Sequence, residues 1–209
     1  MKQTALLFIA ATMLLFSCNN SGDNKSSSTD TSAKKDAVKM DNNNDGGKMA
    51  PLNPMDDIHK MIASWDGVWT SEVTMWEKPD APPKKSTGSC ENKMVLGGRY
   101  QESVHHGTFD SMPFEGHSTL AYDNNKKIFQ STWIDNMGTG IMIMSGPWDA
   151  ATKTSTMKGK ELDPATGKEG DYRETFQVID DNTQMMAMYG PGPDGKEWKM
   201  MEIKFTRKK

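Results

Sequence analysis

Four histidines, two cysteines and eighteen methionines carry most of the chemistry open to this 209-residue chain. Three of the histidines fall in "RYQESVHHGTFDSMPFEGHSTLAYD", which reads as two strands joined by a tight turn. If the turn is Asp110-Ser111-Met112, Val104 faces Ser118, Glu102 faces Leu120 and Tyr100 faces Tyr122. On that register His106 shares a face with Tyr100, Glu102 and Tyr122. A histidine beside a carboxylate can serve as a base, as a haem ligand, or as part of a hydrogen-bonded polar patch lining a cavity. His105 and His117 come out opposite each other, an arrangement suited to a metal, but on the outward face. His59 is expected on the solvent side of a short helix.

Methionine offers a second chemistry. Met142 and Met144 in "IMIMSG", and Met186 and Met188 in "MMAMYG", recur at spacing two, which places each pair on one face of a strand. Paired thioethers can hold Cu(I); the same residues also serve as flexible filling of a core or a forgiving pocket. Catalytic templates are missing: there is no GxSxG elbow, no HExxH, no phosphate-cradling GxxxxGK[ST], and no GxGxxG opening a helix. Most Asp residues flank strand ends and turns, where the carboxylate accepts from local backbone donors. Asp135, after "STWI", is the exception, since an inward parity would place it beside Trp133 at a barrel mouth. No catalytic residue and no cofactor is assigned.

These residues need a frame. The opening "MKQTALLFIAATMLLFSCNN" has a basic Lys2 and an apolar run from Ala5 to Phe16, the pattern of a secretion signal over residues 1–17. Its end, "LLFSC", resembles a bacterial lipobox. The resemblance implies that Cys18 is acylated, becomes the first residue of the mature chain and ties it to a lipid bilayer. Each buried methylene of an acyl chain contributes about 0.8 kcal/mol, so several chains together anchor durably. The expected location is the bacterial cell envelope, on the outer membrane, facing periplasm or surface. Residues 18–54 are polar, without an aromatic residue, and read as a disordered tether. Cys90 is the only other cysteine, so lipidation of Cys18 leaves no internal disulfide. The net charge is -3 and the basic residues are dispersed, which argues against nucleic acid as a partner.

Residues 55–209 form the folded part. In "MDDIHKMIASW", Met55, Ile58, Ile62 and Trp65 lie close to helical spacing, so one short amphipathic helix is expected. Beyond Gly67, runs rich in Val, Thr, Ile and aromatics alternate with turn signals such as "DNNKK" and "GPGPDGKE". They divide into ten strands: 68–76, 87–96, 99–109, 113–123, 127–135, 139–148, 153–161, 171–180, 183–190 and 197–207. An all-β, antiparallel, up-and-down barrel or clam of about ten strands, preceded by the helix, is the expected fold, because closure removes exposed edges. A turn at Asn124-Asn125 would set Leu120 against Phe129 and Gly116 against Trp133. Together the two hairpins predict an inner face of Tyr100, Val104, Phe114, Leu120, Tyr122, Phe129 and Trp133, and an outer face that includes Gln101, Ser103, Glu115 and His117.

"GVW" opens the first strand and Arg207 ends the last. This resembles the calycin superfamily of lipocalins and fatty-acid-binding proteins, and the resemblance implies that Trp69 and Arg207 pair to close the barrel floor. The longer landmarks, "EKPDAPP", "GGRY", "PFEGHSTLAYDN", "TWIDNM" and "MEIKFTRK", resemble the bacterial family known as domain of unknown function 1579. That resemblance spans residue 55 to the C-terminus and implies an envelope β-domain with no established activity. Three functions remain: a tethered module whose barrel takes a small apolar or amphipathic ligand, lined by Trp69, Tyr100, Glu102, His106, Tyr122, Phe129 and Trp133; an envelope structural or interaction protein with a packed core; and an enzyme or haem protein using His106.

Overall fold

The computed structural model describes residues 53–162 and 167–209. The signal segment, Cys18 and the tether up to residue 52 lie outside the described residues, as do residues 163–166. The chain divides into two units, and the unit Met49–Lys209 contains every element described below.

Helix α1 (Asp57–Ala63) starts at Asp56, whose carboxylate accepts from the Ile58 amide at 3.0 Å and thereby satisfies one of the free N–H groups of the first turn. The strands follow as β1 (Gly67–Met75), β2 (Lys84–Val95), β3 (Tyr100–Phe109), β4 (Met112–Asp123), β5 (Ile128–Asp135), β6 (Met142–Gly146), β7 (Trp148–Asp149), β8 (Thr154–Leu162), β9 (Glu169–Asp180), β10 (Thr183–Pro191) and β11 (Glu197–Arg207). All pairings are antiparallel, in the order β6-β5-β4-β3-β2-β1-β11-β10-β9-β8-β7. A further pairing of β6 with β8, Met144 opposite Gly159 and Ser145 opposite Lys158, closes ten strands into a barrel and leaves the two-residue β7 as an appendage. The seam is tight. A Cβ on Gly146 would lie 1.8 Å from the Thr156 carbonyl oxygen, and one on Gly159 would lie 2.3 Å from that of Ile143, so only glycine fits at either position.

The fold is thus the expected all-β barrel with one short helix, but the expected register of its first long hairpin is corrected. Tyr100 pairs with Ala121, Glu102 with Thr119 and Val104 with His117. The turn is the two-residue Asp110-Ser111, both at positive φ (45° and 68°), instead of a three-residue loop. Removing one residue from the turn shifts the pairing by one, and in a strand that exchanges the faces. Gln101 and Ser103, expected outside, are buried inside; Tyr100, Glu102 and His106, expected inside, are exposed. The following loop spans residues 124–127 and sets Tyr122 against Phe129, two positions from the expected pairing, so Leu120, Tyr122, Phe129 and Trp133 keep their inward face.

Helix α1 and the segment that follows it stopper one end of the barrel. Ile62 and Trp65 are buried, and Trp65 packs on Phe129, Trp148 and Phe176 with ring centroids 6.4, 6.1 and 5.2 Å away. A helix end inserted this way leaves carbonyls without helical partners. Gln101 Nε2 donates to Ile62 O at 3.0 Å, while Trp69 Nε1 and Asn92 Nδ2 donate to Trp65 O at 3.0 and 3.2 Å. Arg207 completes the set, donating to Ser64 O at 2.7 Å, Asp66 O at 2.6 Å and Asp181 O at 3.0 Å. Its guanidinium lies 4.2 Å over the Trp69 ring, so the structure brings together the two residues expected to close the floor. Gly67, at φ 118°, keeps the backbone clear of that guanidinium.

Arg207→Ala should therefore destabilise the unit Met49–Lys209 by about 2–4 kcal/mol, from lost charged hydrogen bonds and ring stacking. Arg207→Lys should recover less than half, since an ammonium cannot fork to three carbonyls. Urea unfolding followed by tryptophan fluorescence measures both.

Candidate functional site: the barrel interior

The strands present two inner clusters. One joins Ile62, Trp65, Phe129, Met144 and Met157, with Leu120, Tyr122, Met142, Tyr172, Phe176, Val178 and Met188 packed on it. The other joins Trp69, Cys90, Ile203 and Phe205, with Val73, Met186 and Met201. Met142, Met144 and Met188 thus belong to the first cluster and Met186 to the second. Met144 is buried, while Met142, Met186 and Met188 are half-buried against these clusters, a place that suits a flexible and polarizable side chain.

Cys90 and His105 face each other from β2 and β3, the sulfur 3.5 Å from Nε2, with Cys90 Sγ donating to Asn92 Oδ1 at 3.0 Å. The composition suggests a nucleophile and its base, but the electrostatics oppose it. Burial, and then the charge of Glu91, push the thiol up to about 12. Burial, followed by His117 and His106, pushes the imidazole down to about 4. Both groups stay neutral at physiological pH, so no thiolate–imidazolium pair forms. His105 packs edge-on against Trp133 and Phe205, with centroids 5.1 and 6.1 Å away, and serves as part of the wall.

The other histidines are redistributed. His106, expected inside with Glu102, is on the outer surface with 59% of its side chain exposed, and stands 3.7 Å from Glu115. His117 is outside as expected and bonds Glu115 at 2.9 Å. His105 and His117 lie on opposite faces of the sheet and cannot share an ion. Among the described residues no three His, Cys, Asp or Glu side chains are grouped to hold a metal. His59, expected in solvent, is buried against Tyr122, and its Nδ1 lies 3.0 Å from Asp56 Oδ1. Asp135 is inward beside Trp133, accepting from the indole N–H at 2.8 Å and from the Met137 and Gly138 amides at 2.9 and 3.0 Å.

Glu174 is the site residue not singled out in advance. It lies on the inward face of β9 between Tyr172 and Phe176, opposite Met157 on β8 and Met188 on β10. It points inward, yet it keeps part of its accessible surface. An inward side chain that keeps accessible surface is not sealed by the packing around it. Several inward neighbours, Tyr172, Phe176, Val178, Met186 and Met188, are likewise half-buried instead of sealed. Glu174 has no hydrogen-bond or ion-pair partner among the described residues, and burial alone raises its pKa to about 7. The alternation Tyr172, Glu174, Phe176, Val178 carries the signal: a carboxylate sits in the apolar register of a strand. A separate open depression, lined by Lys78, Pro79, Pro193, Asp194, Lys196, Glu197 and Trp198, lies at the loops β1–β2 and β10–β11 and the start of β11.

A closed ten-stranded antiparallel barrel, stoppered at one end and lined by aromatic rings and thioethers, is the class of protein this geometry defines. Residues 55–207 match the family described as Protein of unknown function (DUF1579), and the chain belongs to that family. The comparison with curated proteins gives no match. Among solved structures, the chain is similar to Rv2717c from M. tuberculosis, at 11% identity and TM-score 0.57 over 75% of this chain and 100% of that one. That likeness agrees with the barrel fold. Matches also include a de novo designed fluorescence-activating β-barrel, at 14% identity and TM-score 0.41 over 74% and 100% of the two chains. A redesigned β-barrel matches at 11% identity and TM-score 0.38, over 71% and 95%.

Glu174 makes stability depend on pH in a defined direction. From 4.5, the ordinary value, to about 7, the folded state retains a proton that the unfolded chain releases, so stability falls as pH rises through that window. The loss approaches about 3 kcal/mol above neutrality. Glu174→Gln should remove it, leaving the variant more stable than the parent at about pH 8 and the gap much narrower at about pH 5. Buried His105 acts in the opposite sense, losing stability as pH falls from 6.5 towards 4, but it is common to both proteins and cancels in the difference. Parallel urea titrations across pH read it directly.

Proposed function

We propose that this chain is a lipoprotein of the bacterial cell envelope, tied to a membrane through acylated Cys18, whose barrel binds a small apolar or amphipathic molecule. The observation that carries the binding half is the inner wall of β9 and β10. There Tyr172, Phe176, Val178, Met186 and Met188 point inward yet are only half-buried, and they surround one unpartnered polar group. A mainly apolar lining with a few polar groups is the usual make-up of a small-molecule site. A fully packed structural core would cover those side chains. The haem or enzyme reading that rested on His106 loses its residue to the outer surface. The anchoring half is supported by the sequence of the first 18 residues.

Native mass spectrometry on the unit Met49–Lys209, which holds both core clusters and every bond of the plug, tests the binding. A mass excess over the bare chain that disappears on denaturation is expected; a bare mass from several expression hosts and after exposure to cell lipid extracts would overturn it. For the anchor, Cys18→Ser in the full-length precursor should move the protein from the membrane pellet to the soluble envelope fraction. Unchanged pelleting would remove the lipoprotein assignment.

A further inference from the structure

The geometry points to a hydrophobic amine as the class of ligand: an apolar body carrying one protonated nitrogen, seated with the nitrogen against Glu174 and the body among the methionines and aromatic rings around it. This deepens the binding reading above and rests on it.

The argument begins with what Glu174 lacks. A carboxylate taken out of water is strongly disfavoured unless a cation or several donors meet it. The chain supplies neither here. Across the sheet its neighbours are Met157 and Met188, and along the strand Tyr172 and Phe176, so no positive charge stands beside it on the inner face. The nearby basic residues are turned away. Arg173 is held by Glu197 at 2.6 Å and stacks on Tyr189, and Lys158 pairs with Arg173 on that same outer face. Arg207, the cation at the floor, is fully engaged by three carbonyls. The carboxyl is therefore an unpartnered, incompletely covered acceptor on the inner face, and what completes it is a donor brought in from outside.

The surroundings then select among donors. Thioethers and ring faces tolerate a cation and attract alkyl groups. An alkylammonium satisfies both requirements, its charge meeting the carboxylate and its chain meeting sulfur and aromatic carbon. An alcohol of the same length gains the apolar contacts and one weaker hydrogen bond. A fatty carboxylate would place a second negative charge beside the first. The order of affinity follows: amine, then alcohol, then carboxylate.

Isothermal titration calorimetry at about pH 8 and moderate salt, where Glu174 is ionised and an alkylamine is protonated, can use decylamine, decanol and decanoate on the unit Met49–Lys209 and on its Glu174→Gln variant. The parent is expected to bind decylamine at least about tenfold more tightly than decanol, with decanoate the weakest. In the variant the advantage of the amine should fall to within about threefold, and continued binding of decanol through its apolar contacts shows that the variant still folds around a site. Binding of decanol without any preference for the amine, or a preference that survives Glu174→Gln, would overturn the inference and leave the binding reading standing. Failure of all three probes to bind the parent would overturn both.

Discussion

The helix-end carbonyls between Ile62 and Asp66 are the constraint on which the rest of this molecule turns. A helix that stops inside the mouth of a barrel carries its unpaired acceptors with it, and each buried one left unmatched would cost about 1–3 kcal/mol. Here β1, β2, β3 and β11 each send one side chain to meet them: Trp69, Asn92, Gln101 and Arg207. Those four strands are neighbours in the sheet, so the plug also fixes their relative heights. Polar residues that look misplaced on an inner face, Gln101 above all, are thereby explained. Their partners are backbone atoms of the stopper.

What lies beyond is uneven. On the side of β1, β2 and β11 the interior is closed by Trp69, Cys90, Ile203 and Phe205, all buried. Cys90 and His105 belong to that solid side, and the exclusion of water that packs them so closely is also what holds both neutral. On the side of β9 and β10 the lining is long, flexible and incompletely covered. Reactive residue types thus fall where there is no room for a substrate, and the room falls where the residues are unreactive save for one carboxyl.

Much of this architecture is legible in the sequence, and the parts that are not share a cause. Strand number and order follow from alternation and turn residues, and the Trp69–Arg207 floor follows from the likeness to calycins. The face of β3 does not, because it depends on whether Met112 belongs to a turn or to a strand. Asp110 and Ser111 adopt positive φ without a glycine to announce it. One residue of turn length decides whether His105 or His106 enters the barrel, and no property of either histidine bears on that choice. Glu174 was legible in principle, since Tyr172, Phe176 and Val178 fix the parity of its strand. It is hidden only by the habit of reading glutamate as solvent-facing. His59 misleads in the same way: its polarity suggests water, while its place at the start of α1 makes it a partner for Asp56 and a neighbour of Tyr122.

The position of β11 has a consequence for how the chain acquires its shape. The strands β1–β6 can zip together hairpin by hairpin, and β8–β10 likewise, with the glycine seam joining the two groups. Yet the free edge of β1 is covered by β11 alone, through pairs such as Trp69 with Arg207 that lie at opposite ends of the folded sequence. Until β11 has been made and delivered, β1 exposes a row of unpaired backbone groups and the stopper lacks its guanidinium. Closure of the barrel therefore waits for the last strand of the chain, and until then the sheet stays open along β1.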